Sequence, residues 1–331
     1  MTNGTRAGNN VFHSFERFDV GTGDTAHFIG QMGVNNIIGR VTGGDGSMTL
    51  FLLNPSGIMF GPNATLEING SFHASTAEML RFADGQDFMV RVSPEASLSV
   101  SPPSAFGFIN AHAPISIRES TLEVTEGETL SIGGGDMTII GGTLEAPSGR
   151  INLASVASAG DVAFAGGNLN TDSLSTLGSI TMTEESQLDA SGALGRVGGQ
   201  IVIRGRQLTM TNADILVTNR SDQTGGGVDV VVDGAITLVD TAILSDTFAT
   251  GQGGHIVLQA DTVTIEGERI RTNTIGGGQG GDIRVEATTV MLTGGRSPAV
   301  TTEAMAGQQA IFSFMGEISR LRGRSRCAIV C

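Results

Sequence analysis

Four times in the second half of the chain a Gly-Gly-x-Ile or Gly-Gly-x-Val motif recurs. The copies are Gly198-Gly199-Gln200-Ile201, Gly225-Gly226-Gly227-Val228, Gly253-Gly254-His255-Ile256 and Gly280-Gly281-Asp282-Ile283. The anchors Ile201, Val228, Ile256 and Ile283 follow one another at 27, 28 and 27 residues. Few folds accept a fixed period of this size. A unit so short cannot bury its own apolar face, so it must stack on its neighbours as a solenoid. Leu208, Ile236, Val263 and Val290 repeat in the same way at 28, 27 and 27. The signatures of leucine-rich and ankyrin repeats are absent.

Each unit contains three short alternating apolar pairs. In the first unit they are Ile201/Ile203, Leu208/Met210 and Ile215/Val217. Alternation with a period of two is the mark of a strand with one buried face. Three such strands per unit, with Gly and Asn between them, predict an all-β chain: a single-stranded parallel β-helix with three short strands per coil. Inward Ile, Val and Leu would stack on their counterparts in the next coil, roughly 4.8 Å away. Gly pairs would sit at corners, where the chain turns sharply or needs φ > 0. Upstream, Ile139, Ile151 and Ile180 begin similar runs at irregular spacing. They read as coils of variable length in one continuous solenoid over residues 115–306.

The period then fails. A further anchor is due near Ile311, and it is present, but Gln308 and Gln309 replace the glycines. From Phe312 the character changes, with Arg320, Arg322, Arg324 and Arg326 alternating. Residues 307–331 therefore read as an atypical tail, disordered or foreign to the repeat. Cys327 and Cys331, the two cysteines of the chain, both fall in it and match no metal-ligand spacing.

The first third is different in kind. Eleven of the fifteen Phe lie at or before Phe108, which implies a bulkier and less regular core there. Asn54-Pro55-Ser56-Gly57 is a turn sequence: Pro presets φ at the second position and Gly accepts φ > 0 at the fourth. Apolar strand candidates flank it at 50–53 and 58–60. Gly61-Pro62-Asn63 and Asn69-Gly70 make further turns. The whole stretch Phe51–Ala77 reads FLLNPSGIMFGPNATLEINGSFHASTA, preceded by RAGNNVFHSFERF at Arg6–Phe18 and NIIGRVTG at Asn36–Gly43.

These three segments, in this order, resemble the filamentous haemagglutinin family, and more narrowly the secretion domain of two-partner-secretion exoproteins and adhesins. The resemblance covers about residues 4–110. It implies a right-handed parallel β-helix that is a passenger rather than an enzyme. It also implies a partner, a dedicated outer-membrane β-barrel transporter, which carries the chain from the periplasm to the outside. The chain would then be secreted or held at the cell surface, where it would meet a host-cell or matrix surface ligand. Transporter recognition would fall to Asn54, Pro55, Ser56, Gly57 and Ile58. Structural roles would fall to Arg6, Gly8, Asn10, Phe12, Phe15, Arg40, Gly61, Ala64, Gly70, Ser71 and Phe72. The family commonly has Asn-Pro-Asn-Gly-Ile, and Ser56 departs from it while keeping a hydrogen-bonding side chain. The expected secretion domain is 1–114. Its match starts almost at Met1 with no basic and apolar leader before it, so an N-terminally incomplete domain is expected.

Little else in the sequence suggests chemistry. A net charge of −14 argues against binding phosphate backbones, and no apolar run reaches the ~20 residues of a membrane span. Gly277-Gly278-Gln279-Gly280-Gly281-Asp282 begins like a calcium-binding nonapeptide, but Arg284 stands where a large apolar residue belongs. The five His are scattered, and His255 occupies a variable corner position. Neither metal nor cofactor is expected. The rival function is a polysaccharide-cleaving β-helix enzyme. Such sites use clustered carboxylates, commonly with Trp or Tyr platforms, and this chain has no Trp and no Tyr.

Overall fold

The computed structural model describes residues 5–8, 10–12, 36–38, 49–66, 68–90, 99–110, 112–267, 269–293, 299–303 and 312–322. Every regular element among them is a β-strand. Most strands join one large 22-stranded sheet whose pairings are parallel, apart from an antiparallel hairpin at Thr5–Ala7 and Asn10–Phe12. Five others form a separate sheet.

The parallel sheet is organised by register. In one ladder, Leu50, Phe72, Leu130, Ile151, Ile201, Val228, Ile256 and Ile283 lie opposite one another in successive tiers. All are buried. The four anchors expected from the repeat therefore form one inward stack, and the stack runs well upstream of the repeat. A second ladder places Ile58, Ile115, Met137, Ile180, Leu208, Ile236, Val263 and Val290 in line. A third carries Leu66, Leu122, Leu144, Leu188, Ile215, Ile243 and Ile270. These side chains merge into one continuous core. Each residue stacks on its counterpart from the previous tier, so burial is local and additive along the sheet.

This register explains the irregular upstream spacing. Ile151 belongs to the ladder of Ile201, Ile180 to the ladder of Leu208, and Ile139 pairs with Ile117 and Met182 one step further along. The three residues do not begin equivalent runs. They occupy different places in the tiers.

Two corner devices recur. Near the Gly-Gly motif, an added Cβ at Gly226 would lie 2.3 Å from the Gly199 carbonyl oxygen, and one at Gly281 would lie 2.1 Å from that of Gly254. Close approach between tiers, more than positive φ, is what demands glycine there. Between the second and third ladders a left-handed residue ends nearly every tier: Asn63 (φ 62°), Glu119 (φ 45°), Gly141 (φ 59°), Glu184 (φ 58°), Asn212 (φ 49°), Asp240 (φ 49°) and Gly267 (φ 95°). Ladder bonds such as Asn63 N–H to Glu119 O (2.8 Å) and Asp240 N–H to Glu266 O (2.9 Å) hold this corner together.

A continuous solenoid was expected, and the structure departs from it in one place. Met79–Phe82, Asp87–Met89, Pro103–Phe108, Gly160–Ala165 and Asn168–Asn170 pair antiparallel as a side sheet. Two stretches of chain leave the parallel ladders to build it. One comes from before residue 114 and one from after. The side sheet packs on Phe12 and Phe51 with a second core of Phe82, Phe88, Phe106, Phe108, Val162 and Leu169. The uneven Phe content of the sequence is spent here.

Past the last glycine-motif unit one more strand is described. Phe312–Arg322 continues the parallel sheet, placing Phe312 opposite Ile283, Phe314 opposite Val285 and Ile318 opposite Val290, with two register shifts. Backbone pairing thus outlasts the glycine motif. Cys327, Cys331, Arg324 and Arg326 lie outside the described residues.

Candidate functional site

The Asn54–Ile58 turn joins two ladders of the parallel sheet. Thr49–Leu53 ends the first, and Ile58–Phe60 starts the second. Asn54 N–H donates to Ser75 O (2.9 Å), which ties the turn to the next tier. The Asn54 side-chain Oδ1 accepts from Ser56 N–H (3.1 Å), and the Asn54 carbonyl accepts from Gly57 N–H (3.1 Å). Asparagine at the first turn position does what its short amide allows. Gly57 has φ 112°, and a Cβ there would meet the Pro114 carbonyl oxygen at 3.2 Å. Ile58 N–H donates to that same oxygen (3.2 Å).

The five residues divide by burial. Pro55 and Ile58 are buried, while Asn54 and Ser56 are exposed and Gly57 is half-buried. Pro55 and Ile58 therefore anchor the turn, and Asn54 and Ser56 present a polar edge to solvent. Ser56 contributes its backbone N–H to the turn, a bond that any residue at this position could make. Met59, next in sequence, is 73% exposed, the only large apolar side chain beside the turn to be so open among the described residues. Sequence reasoning passed over it because strand alternation alone does not say which face of the strand is covered.

The other family-like residues do not gather around this turn. Arg6 Nε donates to Gly8 O (2.9 Å) within the terminal hairpin. A Cβ at Gly8 would press on Val100 at 2.9 Å. Asn10 is buried, and its Nδ2 donates to Ser99 O (2.8 Å) and Ser101 O (2.9 Å). Phe12 packs against Phe88 and Phe82, with ring centroids 5.1 and 5.9 Å away. These residues bind the terminal hairpin to the side sheet. Gly61 O accepts from Ala64 N–H (3.0 Å), and Ala64 O accepts from Thr121 N–H (3.0 Å), so both shape the next turn. Gly70 is buried. Ser71 Oγ donates to Glu128 Oε2 (2.6 Å) and accepts from Thr129 N–H (3.0 Å). Phe72, 1% exposed, fills the stack between Leu50 and Leu130. Phe15 and Arg40 lie outside the described residues.

Charge is arranged to hold the side sheet. Arg81 bridges Asp161 (2.7 Å) and Asp87 (2.9 Å), and the hydrogen bond to Asp161 holds its guanidinium protonated even more firmly than usual. Glu78 accepts from Ile109 N–H (2.6 Å) and Asn110 N–H (2.7 Å). Asp84 is kept below the usual carboxylate range by the Ser99 hydroxyl. In the parallel sheet, Glu123, Glu145 and Asp189 stand opposite one another, and desolvation followed by repulsion from these neighbours raises the Glu145 pKa. His255 Nδ1 accepts from Asp282 N–H (2.9 Å) across tiers. Among the described residues, no group of three or more His, Cys, Asp or Glu side chains is placed to hold a metal ion. Nor is any helix among them long and apolar enough to cross a membrane.

The geometry is that of a stacked scaffold with an exposed, anchored turn. No curated protein matches the sequence. The family model "TPS secretion domain" matches residues 1–203, which runs past residue 114 and takes in the whole side sheet. With more than half of its length matched, the chain belongs to the TPS secretion domain family.

Proposed function

We propose that this two-partner-secretion exoprotein is recognised through the Asn54–Ile58 turn by an outer-membrane β-barrel transporter, and that it then serves at the cell surface as an adhesin. The observation that carries this reading is the division of that turn. Its apolar members are locked into the sheet, and its polar members face solvent within the family-matched region. Asn54 can be exchanged for a partner's contact without dismantling the core.

In this reading the whole main sheet is a right-handed β-helix with three strands per coil. Connections between parallel strands are right-handed in nearly all proteins, because right-twisted strands pack back onto the sheet only that way. The side sheet belongs to the secretion module, and the regular coils after it form a stalk that presents a surface for a host-cell or matrix ligand.

The test is export. The chain is fused to a signal peptide and expressed with a two-partner transporter, and secretion of Asn54→Ala is compared with that of the unaltered chain. Loss of the single Asn54–Ser56 bond should cost about 1 kcal/mol of stability. Secretion should fall severalfold while thermal unfolding of purified protein shifts by only a few degrees. Normal export of Asn54→Ala, or export that persists without the transporter, would refute the assignment.

A further inference from the structure

Where the side sheet meets the parallel sheet, one outward row carries Phe51, His73, Ser131, Asn152 and Val202, in register from tier to tier. The hairpin of Gly160–Ala165 and Asn168–Asn170 lies over this row. The His73 ring stacks on Phe51 at 4.7 Å and 16°, and meets Phe164 of the hairpin at 5.4 Å. Phe164 in turn sits 4.9 Å from Phe106 and 5.6 Å from Phe51. His73 keeps some exposed surface, yet its Nδ1 is buried and without a hydrogen-bond partner. Asn152 Nδ2 donates to Gly167 O (2.9 Å) and Ser131 Oγ (3.0 Å), while its Oδ1 is also buried without a partner. The hairpin is thus held by an aromatic cluster with an imidazole at its centre.

We propose that His73 is an acid-sensitive latch: protonation of its ring releases the Gly160–Asn170 hairpin from the parallel sheet. A charged imidazolium needs water or an anion at its N–H groups, and here Nδ1 is buried while Phe51 and Phe164 pack against the ring. The strands around it hold few charges. Thr49–Leu53, Thr129–Gly134, Pro103–Phe108 and Asn168–Asn170 contain none. Asp161 of the hairpin is engaged by Arg81, as is Asp87. Arg150, whose guanidinium bonds the Gly166 carbonyl, is a like charge that would oppose a second cation nearby. Of the carboxylates just outside these strands, Glu128 accepts from Ser71 Oγ and Glu78 from the Ile109 and Asn110 N–H groups, so these carboxylates are already engaged elsewhere. Burial accordingly lowers its pKa to about 3.

In the undocked state the imidazole regains its usual pKa near 6.5, so it binds a proton that the docked state refuses. Docking is unaffected above about pH 6.5 and weakens as pH falls from there towards 3. Each pH unit in that window is worth up to a tenfold change in the opening equilibrium.

Hydrogen exchange read by mass spectrometry, corrected for intrinsic exchange chemistry, tests this between pH 7.5 and 5. Opening of the Gly160–Asn170 amides should rise about tenfold from pH 6 to pH 5, while amides of 200–293 stay constant. His73→Phe, which keeps an aromatic ring, should abolish the pH dependence, and so should His73→Gln, which keeps a polar side chain. Hairpin opening that is flat with pH in the unaltered chain, or a slope retained in either variant, would overturn the proposal. So would opening of the coils together with the hairpin.

Discussion

Ile256→Ala tests the register of the whole sheet at one position. Ile256 is fully buried, with Val228 on one side and Ile283 on the other. The substitution removes three buried carbons, about 2.4 kcal/mol at roughly 0.8 kcal/mol per group. A cavity term adds to this, because hydrogen-bonded tiers on both sides stop the backbone from closing the gap. We expect about 3–4 kcal/mol in all. His255→Ala, one residue away, is the control. The His255 side chain is 44% exposed and accepts one N–H from Asp282, so about 1 kcal/mol is at stake. Chemical denaturation followed by far-UV circular dichroism is the assay, since a chain without Trp or Tyr offers little intrinsic fluorescence. Losses of similar size at the two positions, or a larger loss at His255, would refute the inward assignment of the anchors.

Three further outcomes are expected. Gly226→Ala should lower stability by about 1–3 kcal/mol in a denaturant melt, because the new methyl would lie 2.3 Å from the Gly199 carbonyl and a tier must move. Glu119→Gly should raise stability by about 0.5–1 kcal/mol in the same assay, since Glu119 is exposed and held at φ 45°, where glycine is unstrained. Glu145→Gln should stabilise the protein by a few tenths of a kcal/mol at pH 7 and low salt. That gain should shrink on adding salt, and shrink again as pH falls through the raised pKa of Glu145, where the native carboxyl takes up a proton and its repulsion from Glu123 and Asp189 ends; thermal melts at several pH and salt values read both effects.

The site was partly legible before the fold was. Asn54-Pro55-Ser56-Gly57 spells a turn by local chemistry, and the turn forms with the Asn54 side-chain bond that this chemistry implies. What could not be read was its setting: Gly57 packs on Pro114, a residue far away in sequence. His73 shows the same limit more sharply. It lies inside the recognised segment, but its neighbour Phe164 arrives from the side-sheet hairpin, and neither residue signals the other. A sandwich between distant strands leaves no local pattern.

The sequence by itself determined the parallel stack. Ile201, Val228, Ile256 and Ile283 sit at one place in each repeat, and a constant period leaves tier-on-tier pairing as the way to bury them all. It also determined the strand period, the glycine corners and the likeness to a secretion domain. The tertiary structure alone decided where the period is interrupted. Met79–Phe82, Asp87–Met89, Pro103–Phe108, Gly160–Ala165 and Asn168–Asn170 form antiparallel strands whose alternation resembles that of the coils, so their pattern does not reveal a separate sheet. Only the meeting of Phe82, Phe88, Phe106 and Phe108 with Phe12 and Phe51 does so. The same holds for the segment after Ile311. Its glycines are gone and its arginines look foreign, yet Phe312 still stands opposite Ile283, because backbone pairing does not depend on the glycine motif.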